Sequence, residues 1–133
     1  MKYITELIIN EYRLKNIDFM GYVFNKSNAS YHHLIIPKRF GGKETLENGV
    51  VLNSKTSHPY LHIIESYDKD RFKAITEAMV REKELGRIDI KELERIDDIL
   101  KGFEKDNKDN TTRKGKILIK EQYINGRYLT RRV

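Results

Sequence analysis

The chain contains no cysteine in 133 residues, which excludes thiolate metal ligands, a thiol nucleophile and a disulfide scaffold together. No apolar run approaches the roughly 20 residues needed to cross a bilayer. The opening Met1-Lys2-Tyr3-Ile4-Thr5-Glu6 does not read as a signal peptide. These absences point to a cytoplasmic protein with no membrane partner. At this length one domain, or one domain with an appendage, is expected, and such a chain can bury a core without covalent help.

The net charge of +6 is unevenly distributed. From Thr111 onward there are seven basic residues (Arg113, Lys114, Lys116, Lys120, Arg127, Arg131, Arg132) and one acid, Glu121, which leaves nineteen of each sign in positions 1–110. A basic block on an otherwise neutral protein suits attraction to a phosphate backbone, and it equally suits a solvated tail with no partner. Charge alone leaves both open.

Hydrophobic spacing divides the chain into segments. Tyr3, Ile4, Leu7, Ile8 and Tyr12 recur at helical intervals and predict a first helix over 3–15. Phe19-Met20-Gly21-Tyr22-Val23-Phe24 predicts a strand, 25–30 a polar loop, and Tyr31–Ile36 a second strand. Residues 37–48, with Gly41-Gly42, predict an irregular loop, and Val50-Val51-Leu52 a short strand. Ser57 is placed to cap a helix starting at His58, with Pro59 in its first turn. Phe72, Ile75, Met79 and Val80 mark a helix between Asp68 and Leu85. Asp89 and Glu92 form the pattern of a capping box before a further helix striped by Ile90, Leu93, Ile96, Leu100 and Phe103. These stripes are core. Residues 104–116 are polar throughout and predict a linker, and Asn125-Gly126 between two strand-like runs predicts a hairpin over 117–133.

The four histidines carry the chemistry. They fall as two pairs, His32-His33 at the end of a predicted strand and His58 with His62 on a predicted helix. Residues four apart on a helix share a face, so His58 and His62 can point at one ion. Adjacent strand residues face opposite ways, so one of His32 and His33 can join that pair while the other stays free. Three imidazoles with open positions describe a catalytic metal site better than a closed structural one.

The run His32-His33-Leu34-Ile35-Ile36-Pro37, then Gly41-Gly42, Asn48 and Leu52, then His58-Pro59-Tyr60-Leu61-His62, resembles the HNH (ββα-metal) nuclease motif in its double-histidine form, as in colicin-type nucleases. The likeness spans residues 31–62, about a quarter of the chain, and extends to small HNH proteins of phages and mobile elements. It implies an α+β fold in which the ββα-metal motif is braced by an N-terminal helix and two following helices. The domain is then 1–103, with the motif core at 31–65, followed by the linker and a basic hairpin appendage. His33 matches the general base, His32, His58 and His62 match the metal ligands, and Asn48 matches the residue that pins the loop and orients the base. Asn53 fits that last spacing less well. Many such proteins add a structural zinc on cysteine pairs; none is available here, so the helices over 69–103 must supply the bracing.

The resemblance implies a metal-dependent endonuclease that cuts DNA phosphodiester bonds around one divalent ion. Zinc or nickel suits tight binding by three imidazoles, whereas magnesium or manganese suits turnover. Lys38 and Arg39, and more distantly Arg113, Lys114, Lys116, Arg127, Arg131 and Arg132, are candidate phosphate contacts. The alternative is a non-catalytic protein on the same scaffold that binds nucleic acid, or that inhibits or tethers another nucleic-acid enzyme. A second copy or a partner protein is a further expectation for the C-terminal hairpin.

Overall fold

A computed structural model describes residues 1–107; the expected hairpin, most of the expected linker and the seven basic residues from Arg113 to Arg132 lie outside the described residues. The described part is α+β: four helices and one antiparallel two-stranded sheet. Helix α1 spans Tyr3–Glu11, strand β1 Ala29–His33, strand β2 Gly49–Asn53, and helices α2, α3 and α4 span Ser57–Tyr67, Lys69–Leu85 and Ile90–Asp106. Among the described residues, no helix is long and apolar enough to cross a membrane.

The register of the sheet pairs Ala29 with Asn53, Tyr31 with Val51 and His33 with Gly49. Every residue of β2 is buried, because α1 and α2 both pack on it. Burial on both faces accounts for its uninterrupted Val50-Val51-Leu52. Helices α3 and α4 pack on each other and on α2, and the ring of Tyr60 meets that of Phe103 edge-on at 6.1 Å between centroids. The core joins these layers through Ile8, Phe19, Tyr22, Ile64, Ile75 and Ile96, all fully buried.

Several elements depart from expectation, each for an identifiable reason. Helix α1 stops at Glu11, because Arg13 takes a left-handed conformation (φ 53°) that ends the helix early. Residues 19–24 form no strand beyond one isolated bridge between Ile17 and Val23. The amides of Met20 and Tyr22 donate instead to Asp18 Oδ1, each at 2.9 Å, which replaces ladder hydrogen bonds with a side-chain-centred loop. Strand β1 starts at Ala29 and ends at His33, because Leu34, Ile35 and Ile36 give their N–H groups to Asn48. Ser57 opens α2 but does not cap it, since its hydroxyl is committed to Asp18.

The expected capping box at Asp89 does not form. Glu92 instead pairs with Arg81 Nε across to α3 at 2.8 Å. Helix α4 also runs three residues past Phe103, to Asp106, where Arg71 Nη2 holds the last carboxylate at 2.5 Å.

Candidate metal centre

Strand β1 and helix α2 bring three imidazoles together. The alternation of β1 turns His32 inward, 5 % exposed, whereas His33 shares the opposite face with Tyr31, their rings edge to face at 4.9 Å. On α2, His58 and His62 stand one turn apart with centroids 4.9 Å apart, and the His32 ring lies 5.1 Å and 5.4 Å from them. One ring nitrogen from each of His32, His58 and His62 falls within 4.8 Å of the others, so this group can hold a metal ion.

The geometry and the chemistry of the donors fit such an ion. His32 Nδ1 and His58 Nε2 are 3.3 Å apart. Two nitrogens each about 2.05 Å from one tetrahedral ion are separated by about 3.3 Å. The Ser30 hydroxyl gives its proton to the Leu52 carbonyl (2.8 Å), so at 2.9 Å it can only accept from His58 Nδ1–H. That bond leaves the lone pair of His58 on Nε2, facing His32. His62 Nδ1 lies 3.1 Å from Glu65 Oε1, which likewise frees its Nε2. Burial, and then the neighbouring imidazoles, lower His32 to about 3 and His58 to about 4, so both rings are neutral at ordinary pH with lone pairs available.

Burial is graded across the trio. His32 is enclosed, His58 is partly covered, and the side chain of His62 is 53 % exposed, which leaves one side of the group open. It opens into a cleft of about 890 Å³ that His33 also lines, with Lys2, Lys38, Arg39, Glu44 and Glu65 around its walls. Lys38 and Arg39 line the same cleft as the histidines.

Asn48 acts as a clamp on the segment that leaves β1. Its Oδ1 accepts from the N–H of Ile35 (3.0 Å) and Ile36 (2.7 Å), and its Nδ2 donates to the carbonyls of Ile36 (3.0 Å) and Lys43 (3.1 Å). All of this amide's strong positions are used on backbone two and three residues beyond His33 or across the loop. Asn53 belongs elsewhere: its Nδ2 donates to Val23 O at 2.7 Å and its Oδ1 accepts from Lys55 N–H at 2.8 Å.

Two contributors escape sequence reasoning. Asp18 is fully buried and accepts from Met20, Tyr22, Asn53 and the Ser57 hydroxyl. It ties the 18–22 loop and the end of β2 to the first turn of α2, next to His58. Burial raises its carboxyl to about 6, against the lowering effect of those hydrogen bonds. The sequence signal was an acid set directly against the apolar run Phe19–Phe24. Tyr31 props His33, and its hydroxyl is anchored on Thr45, donating to O (2.7 Å) and accepting from N–H (3.0 Å). Its ring lies so close to Gly49 that any Cβ there would collide with it. The sequence matches no protein-family model, no curated protein and no solved structure.

Proposed function

We propose that this protein is a metal-dependent endonuclease of the HNH type that hydrolyses DNA phosphodiester bonds. The observation that carries this reading is a three-histidine group open to a cleft whose wall holds a fourth histidine outside the group. The residue order and spacing over 31–62 resemble the HNH motif and support it further.

His32, His58 and His62 hold one divalent ion in this reading, zinc or nickel for tight binding and magnesium or manganese for turnover. The ion when bound supplies Lewis-acid stabilisation of charge on the scissile phosphate and its leaving oxygen. His33 is the general base, since its ring stands apart from the trio and its lone pair is not committed to a ligand. It takes a proton from the water that attacks phosphorus, the P–O bond to the 3′ carbon's oxygen breaks, that oxygen takes a proton from solvent, and the ends are a 5′-phosphate and a 3′-hydroxyl. Tyr31 limits the tilt of the His33 ring from one side. Asn48 fixes the backbone just after it, so the base is oriented before substrate arrives. Lys38 and Arg39 neutralise phosphates flanking the cut.

Supercoiled plasmid incubated with the protein and Mg²⁺, Mn²⁺, Zn²⁺ or Ni²⁺, against a chelator control, tests the proposal. Nicked circles that depend on metal are expected. Plasmid bound but uncut under every metal would favour the non-catalytic reading instead.

A further inference from the structure

Beyond the histidine cleft, one turn holds an aromatic ring out in solvent. Phe40 is 71 % exposed. It ends the 3-10 turn Lys38–Phe40, closed by Phe40 N–H to Pro37 O and Gly41 N–H to Lys38 O, each 3.0 Å. Gly41 then adopts φ 85°, which favours glycine. Gly42 N–H also returns to Pro37 O at 3.0 Å, and a Cβ at Gly42 would strike the Ile36 carbonyl. Asn48 clamps the base of the turn through Ile35 and Ile36. The backbone is thus closely determined, yet it leaves a large ring without the burial such a side chain ordinarily finds.

The surroundings state what would cover it. Ile35 and Ile36, both about half exposed, add apolar surface at the start of the same segment. Lys38 and Arg39 precede it directly, and the Arg39 guanidinium lies 4.9 Å from the ring centroid. Arg39 Nη1 is also 3.9 Å from Glu65, the carboxylate that holds His62. Arg39 therefore links the ring to the histidine cleft, whose wall it lines. Cations interleaved with an exposed aromatic are the recognition elements for a nucleic-acid strand: phosphates meet the charges and a base meets the ring face.

We propose that Phe40 is a stacking platform for an unpaired base, so that the cleft takes DNA that is single-stranded beside the scissile phosphate in preference to regular duplex. This rests on the nuclease reading. In a duplex each base face is already covered by its neighbours, so the ring gains a partner only where the stack is broken. Lys38 and Arg39 hold the backbone on either side while Phe40 takes the base.

Equilibrium binding of a fluorescein-labelled single strand, and of the same sequence as duplex, by the full chain in EDTA tests this without turnover. Phe40→Ala should weaken single-strand binding about 10-fold, within the range for one base–aromatic stack, and leave duplex binding nearly unchanged. Its salt dependence should keep the wild-type slope, whereas Lys38→Ala should flatten that slope by about 0.7. Phe40→Trp should restore affinity. Equal loss on both forms, no loss, or a flattened slope for Phe40→Ala would overturn the stacking role while leaving the nuclease reading intact. A dimer that Phe40→Ala converts to monomer, with oligonucleotide binding unchanged, would assign the ring to a second copy and also overturn it. Wild-type protein that binds neither form would sink both readings.

Discussion

The Ser30 hydroxyl lies between the Leu52 carbonyl and Nδ1 of His58, 2.8 Å from one and 2.9 Å from the other. Its one proton goes to the carbonyl, so the imidazole must donate, and its lone pair is left at the centre of the trio. A strand residue thereby sets the tautomer of a helix residue. Ser30→Ala removes that constraint without touching a ligand. Metal affinity should fall about 10- to 100-fold, the usual effect of losing a ligand's orienting partner. Chelator competition measures it, and an unchanged affinity would show that the hydroxyl does not orient the ring.

Asn48 should matter for rate and for stability, but not for metal. Its side chain makes four hydrogen bonds to backbone, and Asn48→Ala leaves those groups to find water. We expect a loss of at least about 2 kcal/mol in denaturant melts, given the cost of unsatisfied buried groups. Plasmid nicking should slow about 10²-fold, as for a misplaced base, with metal affinity retained. Full activity in this variant would remove Asn48 from the site.

In the metal-free protein the two buried histidines should work against stability on mild acidification. His32 and His58 are held at about 3 and about 4 by burial, below the ordinary value near 6.5. Between pH 6 and 4 the unfolded chain therefore binds two protons that the folded chain does not, so stability falls as pH falls. Asp18 opposes this: raised to about 6, it is protonated in the folded chain over the same range while the unfolded carboxyl is still ionised. Glu82, buried and raised well above the ordinary carboxylate value, opposes it as well, so the histidine share is read as the change in the slope of stability against pH on removing one ring, about 1.4 kcal/mol per pH unit for one proton. Urea titrations at pH 6 and pH 5 in EDTA measure the slope. His32→Ala should reduce it by about one proton, and an unchanged slope in that variant would contradict the assignment.

The candidate site was largely legible because its information is local. His58 and His62 share a helix face at any i, i+4 spacing, and strand alternation alone separates His32 from His33. The bracing helices were legible for the same reason, since Ile75 with Met79 and Ile96 with Leu100 mark their buried faces. What escaped depends on partners distant in sequence. Asp18 meets Asn53 and Ser57, 35 and 39 positions away, and these contacts turn a strand-like run into a loop and divert Ser57 from capping. Glu92 is drawn from its cap to Arg81 by the packing of α4 on α3. Period and capping rules cannot anticipate a competing side chain from another element.

The division of labour among the histidines is tested most directly by measuring metal affinity and plasmid nicking in parallel on His33→Ala and His62→Ala. His33 lies outside the trio, on the Tyr31 side of β1, whereas His62 offers a nitrogen to it. His33→Ala should bind metal within about 2-fold of wild type and fail to nick, because only the proton acceptor is gone. His62→Ala should lose both, because a three-imidazole site loses a ligand. If His33→Ala loses metal as completely as His62→Ala, or nicks plasmid at the wild-type rate, the assignment of base and ligands is wrong.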